Sequence, residues 1–123
     1  MGREGFKDLV VWQKAKDLAV LIYTMPGDKT PGLDFGLRDQ IRRSSVSVAS
    51  NLAEGDERDT DKESVRYFFI AKGSVAELRT QHQIAYESGH LNKSAYETLE
   101  KEYDTLGKRI GSLIQVRRRS SRP

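Results

Sequence analysis

With 123 residues, 37% of them apolar and 32% charged, the chain has the size of one ordinary domain and enough apolar material to bury a core without cross-links. It contains no cysteine, which excludes disulfides and thiolate metal sites and fits a reducing compartment. The net charge of +3 is unevenly placed: Arg117, Arg118, Arg119 and Arg122 crowd the C-terminal end, and without them 17 basic residues face 18 acidic ones over positions 1–116. Such a run binds polyanions by releasing counterions, or it is merely a solvated terminus. Residues 117–123 are therefore expected to be a basic, disordered tail. Met1 to Asp8 carry mixed charge and no apolar run of a signal segment. No stretch approaches the roughly 18 apolar residues of a membrane span. The expectation is a cytoplasmic protein with no membrane partner.

Four periodic segments, over residues 8–25, 34–55, 61–88 and 93–116, make up the expected domain 1–116, and each reads as a helix. In the first, Asp8 is a plausible N-cap, and Leu9, Trp12, Ala15, Ala19 and Ile22 form a stripe that Val11, Leu18 and Leu21 widen. Pro26 and Gly27 end it. The second opens at Asp34 and carries Leu37, Ile41, Val48 and Leu52 to Gly55, a candidate left-handed C-cap. Its middle is small and polar, with Ser44, Ser45, Ser47, Ala49 and Ser50. These are modest helix formers that need tertiary packing to hold them, and they let a neighbouring helix come close.

The third segment starts at Thr60-Asp-Lys-Glu63, a capping-box pattern. Phe68, Ala71, Val75, Leu78, His82 and Ala85 make one stripe, and Gly89 marks the end. Val65, Phe69, Ile70 and Ile84 lie off that stripe and predict a second buried face, for which self-association is the natural outlet. The fourth alternates Tyr96, Leu99, Tyr103, Leu106, Ile110 and Leu113 at the 3-4 spacing of bundle helices. Short connections make neighbours antiparallel, so the fold class is all-α, an antiparallel up-down four-helix bundle.

Chemistry-bearing patterns are scarce. There is no GxSxG, P-loop, GxGxxG or HExxH motif. Glu87-Ser-Gly-His90 copies one Glu-x-x-His element, but di-iron bundles need two such elements and two further glutamates, and Gly89 interrupts this one. No metal, cofactor, catalytic residue or small-molecule substrate is expected, and His82 reads as a hydrogen-bonded, partly buried side chain. The polar set Arg42, Arg43, Ser47, Asn51, Glu54, Gly73, Ser74 and Glu77 is more informative, because Ser47, Asn51 and Glu54 share one helix face. It is either a ligand or RNA groove or an interhelical network in which Arg42 or Arg43 pairs with Glu54 or Glu77. Gly107 and Gly111 suggest close helix approach.

Three ordered blocks, Phe6-Lys-Asp-Leu-Val-Val-Trp-Gln-Lys-Ala15, Gln40-Ile-Arg-Arg-Ser-Ser-Val-Ser-Val-Ala-Ser-Asn-Leu-Ala-Glu-Gly55 and Ala71-Lys-Gly-Ser-Val-Ala-Glu-Leu78, span most of the chain. They resemble the bacterial four-helix bundle family of 23S rRNA-intervening-sequence proteins, which has no established activity. The resemblance implies assembly into a ring, typically a homopentamer. It makes Arg42, Arg43, Asn51, Glu54, Gly55, Gly73, Ser74 and Glu77 family-motif positions. The family is similar in fold to accessory proteins of diversity-generating retroelements, whose basic ring engages nucleic acid. The expected function is a non-enzymatic homo-oligomeric accessory factor that binds RNA or DNA through Arg38, Arg66, Lys108, Arg117, Arg118, Arg119 and Arg122. The alternative is a protein-only interaction scaffold.

Overall fold

The computed structural model describes residues 5–25 and 35–120. After a short 3₁₀ turn at Phe6–Asp8 come four helices: α1 (Val10–Thr24), α2 (Phe35–Asp56), α3 (Asp61–Glu87) and α4 (Lys93–Ser120). Contacts run in sequence order, strongest between α2 and α3, then α3 and α4, then α1 and α2, with a smaller set closing α1 on α4, as in an up-down bundle. Cross-helix pairs fix the directions. On α3 and α4, Gln83 meets Tyr96, Arg79 meets Glu100 and Phe68 lies beneath Arg117, so one number falls as the other rises and the two helices are antiparallel. None of the described helices is long and apolar enough to cross a membrane.

The helix ends follow from local chemistry. Thr60 Oγ1 accepts the Glu63 N–H at 3.2 Å, the hydroxyl half of the expected capping box. At the other end of α3, Gly89 has φ of 84°, Gly89 N–H donates to Tyr86 O and His90 N–H to Ala85 O. Those two bonds are a Schellman closure, which glycine enters without a Cβ penalty. Asp8 does not cap α1: it belongs to the 3₁₀ turn, and Leu9 precedes the helix without a side-chain cap. The expected stop at Pro26 and Gly27 and the expected start at Asp34 lie outside the described residues.

The core is one cluster, drawn from Ile41, Val48 and Leu52 of α2, Phe68, Ala71, Val75 and Leu78 of α3, Leu99, Tyr103, Leu106, Ile110 and Ile114 of α4, and Val11, Ala15, Leu18 and Ile22 of α1. The α3 stripe is the expected one. On α1 the buried stripe is instead Val11, Ala15, Leu18 and Ile22, turned from the expected one, and Leu21 is exposed. Apolar residues surround α1, so periodicity alone does not choose its inner face.

Two expectations about glycine and the C-terminus are corrected. Gly55 has no left-handed backbone and lies within α2; a Cβ there would stand 2.7 Å from Phe68 Cε1 and 3.0 Å from the Ser64 carbonyl. Its role is close helix approach, a role that Gly107 and Gly111 do not share, since a Cβ at Gly107 meets only Val75 at 3.9 Å and one at Gly111 meets nothing within 4 Å. Helix α4 also continues past residue 116 to Ser120, so Arg117, Arg118 and Arg119 form its last turn rather than a separate tail. The physical reason is Arg117, which donates to Asp56 Oδ1 at 2.6 Å and covers the Phe68 ring at 5.3 Å. Arg122 lies outside the described residues.

Gly55→Ala is expected to lower the unfolding free energy by about 1–3 kcal/mol, because the rigid Phe68 ring must move. Gly111→Ala, with open space around it, is expected to be neutral or to stabilise by up to about 1 kcal/mol. Urea denaturation of the two variants beside the parent checks the contrast.

Candidate functional site

The polar set expected on α2 and α3 separates into parts. Ser47 Oγ lies 2.8 Å from Ser74 Oγ across the α2–α3 seam, and Asn51 Nδ2 donates back to the Ser47 carbonyl at 2.9 Å and hydroxyl at 3.1 Å. Within the protomer, the expected pairing of Arg42 or Arg43 with Glu54 or Glu77 does not form; the same pairing between subunits, the other form of that expectation, lies outside a single protomer. Glu54 pairs with Arg58 one turn on, at 2.9 Å, and the Arg42 guanidinium sits over the Tyr23 ring at 4.9 Å. Helical geometry explains this: Arg42 is five residues from Ser47, about 140° around the helix, and faces α1 instead of α3. Arg43, Gly73 and Glu77 are exposed, and Gly55 is buried against Phe68. The α2–α3 seam is thus a packing network of Ser47, Asn51 and Ser74, flanked by separate surface groups.

A second polar pair sits in the core. His82 is buried and Tyr103 is fully buried. The Tyr103 hydroxyl lies 2.9 Å from Nδ1 and 3.3 Å from Nε2 of His82, and Nδ1 also faces the Leu78 carbonyl at 3.1 Å. A neutral ring has one protonated and one bare nitrogen, so the tautomer decides whether the Tyr103 hydroxyl donates to the ring or accepts from it. Burial pushes the His82 pKa down, against smaller upward pulls from the Leu78 carbonyl and Glu100. Burial likewise raises the Tyr103 phenol, with Glu100 adding to the effect. Both groups are held neutral. Their stripe positions mark each as buried, but periodicity does not show that the two rings meet at 5.1 Å.

The expected nucleic-acid residues are scattered. Arg38 is half-buried at the end of the bundle where α2 begins, and Arg66 is exposed on α3. Lys108 pairs with Asp104 at 3.0 Å and borders an open groove between α1 and α4. Arg117 is committed to Asp56, whose side chain is 2% exposed against 17% for the arginine. Arg118 rests over Phe69 at 5.0 Å, and Arg119 is exposed. Sequence reasoning missed the Arg117–Asp56 pair, yet a signal existed: Arg117 continues the Leu106, Ile110, Leu113 spacing and so shares the inner face of α4. Glu87 accepts from Gln83 at 2.5 Å, whereas His90 lies beyond the Schellman turn. Among the described residues, no three of His, Cys, Asp or Glu gather as metal ligands.

Acidification tests the His82–Tyr103 pair. The folded-state pKa of His82 lies below its ordinary value of 6.5, so below about pH 6.5 the unfolded chain binds more protons than the folded one. The stability linked to His82 is fully present above that pH and is lost as pH falls through the lowered folded value. Urea midpoints should therefore drop from about pH 7.5 to about pH 5.5, and His82→Gln, which cannot take a proton, should flatten that part of the profile.

A solved structure from Bacteroides thetaiotaomicron, described as a protein of unknown function from the S23 ribosomal protein family, superposes with a TM-score of 0.79 at 20% identity, covering 85% of this chain and 97% of that one. At that identity the likeness shows the fold alone. No curated protein matches the chain. The family model of the 23S rRNA-intervening sequence protein matches residues 7–112, which takes in all but the first residue of the three sequence blocks and all of the bundle except the last two turns of α4, and the chain belongs to that family.

Proposed function

We propose that the protein is a non-enzymatic, self-assembling helical scaffold whose contact surface is the outer face of α3. The observation that carries this reading is a set of apolar side chains turned away from the core: Phe69, Ile70 and Ile84 are 42%, 45% and 52% exposed. Gly73 lies among them, mid-helix, with nothing within 4 Å of where its Cβ would stand. A helix-interior glycine costs up to about 1 kcal/mol relative to alanine, and no contact within the protomer calls for this one. A second helix passing over Gly73 would use the space, and the flanking apolar side chains would be buried against it. A homopentameric ring is the assembly that the family resemblance implies.

Light scattering on the purified protein tests it. The expected mass is a multiple of the 14.0 kDa protomer, near five of them, and Phe69→Glu with Ile84→Glu should reduce it to one while leaving far-UV helicity intact. Gly73→Ala should raise the melting temperature of the protomer, as a removed helix glycine does, and weaken assembly. A parent protein that runs as a monomer at micromolar concentration would overturn the proposal.

A second reading, nucleic-acid binding by the assembled protein, is favoured by Arg66, Arg118 and Arg119, which are exposed near the paired ends of α3 and α4. It predicts binding of mixed RNA or DNA that falls steeply with salt and weakens further when these three are changed to Ala, with a shallower salt slope. Arg117→Ala should instead act through stability, because it takes a guanidinium at 2.6 Å away from the buried Asp56 carboxylate and uncovers the Phe68 ring. Filter binding at two salt concentrations, run beside thermal melts, separates the two effects.

A further inference from the structure

Where α1 ends, α2 begins and α3 ends, the bundle leaves a half-enclosed pocket of about 60 Å³, room for several times the volume that one water needs. Its apolar wall includes Ile22 and Ile41, and four nitrogen-bearing side chains, Arg38, Arg42, His82 and His90, share the lining with no carboxylate among its described residues. Arg42 is the informative member. It is half-buried, its guanidinium rests on the Tyr23 ring, and it makes no ion pair with any described carboxylate. A partly desolvated guanidinium is a fork of donors shaped for a planar oxyanion. A pocket of this size, apolar apart from such donors, has the make-up of a small-ligand site.

We infer that this pocket binds a small monocarboxylate, its carboxylate on Arg42 and its short alkyl chain against Ile22 and Ile41. The ring of His82, kept uncharged by its buried position, leaves Arg42 as the charged anchor. The small volume sets the upper limit on the ligand at a few carbon atoms. A free phosphate would satisfy Arg42 but leave the apolar wall unused, so the carboxylate is the better match to the whole lining.

The test is a titration of the full-length protein with sodium butyrate at constant ionic strength, read by the imidazole NMR resonances of His82 and His90. Saturable shifts are expected with a Kd of about 1 mM, a reasonable affinity for a ligand of so few atoms. Arg42→Gln should weaken binding by about tenfold or more, and Arg42→Lys, which keeps the charge but loses the fork, should fall between. Both variants are made at a half-exposed position, and far-UV circular dichroism confirms that they fold. Linear, non-saturating shifts with butyrate would overturn the proposal. So would equal affinity in Arg42→Gln, or saturation by inorganic phosphate without saturation by butyrate.

Discussion

The close approach of α2 to α3 is the constraint from which the rest of the bundle follows. Gly55 leaves no room for a Cβ beside Phe68, and Ser47 and Ser74 touch through their hydroxyls at 2.8 Å. Only small residues at these points let two backbones come that near. The cost is a poor intrinsic helix: the serines at 44, 45, 47 and 50 compete with the helical backbone for hydrogen bonds, so α2 holds its shape because α3 packs on it. The same closeness places the end of α2 beside the Phe68 ring, and there Asp56 meets Arg117 of α4. One seam of small residues therefore sets the position of the third and fourth helices as well as its own.

The Arg117–Asp56 pair illustrates how composition misleads when position is ignored. Counted along the chain, Arg117 belongs to a basic run; placed on α4, it occupies the next inner position after Ile114. A guanidinium there is tolerable because the carboxylate and the ring face share its desolvation. Its neighbour Arg118, one residue on, points about 100° away and reaches Phe69 instead. Adjacent arginines in one sequence run thus have different jobs, one within the bundle and one at its surface.

The legibility of the fold varies with how lopsided each helix is. On α3 and α4 the apolar residues recur at 3-4 spacing with charged residues between, and the inner face could be read directly, including His82 and Tyr103, as far as Ile110; beyond it the buried residue is Ile114, and the expected Leu113 is only half-buried. On α1 apolar residues occupy nearly every angle, and the inner face depends on what α2 offers to pack against. The helix ends were legible where a specific bond marks them, as at Thr60 and Gly89, and misread at Gly55, where a terminal-looking glycine serves packing instead. The polar motif was legible only as a shared face. Periodicity locates Ser47 and Asn51 together, but which side chain each finds depends on the facing helix, and so Ser74 was not identifiable as the partner.

What remains on the surface divides by geometry into two unlike features. The outer side of α3 is convex, apolar and smooth at Gly73, a shape suited to a large partner that buries area without needing directed bonds. The pocket at the α1–α2 end is concave and small, and Arg42 supplies directed donors, a shape suited to a ligand of few atoms. The two lie on different parts of the bundle: the pocket is built from inward and end-facing positions, whereas Phe69, Gly73 and Ile84 face outward. Arg42 is reached from α2 and Tyr23, neither of which contributes to the outer α3 stripe. The outer face and the pocket therefore draw on different side chains of α3, Gly73 for the one and His82 for the other.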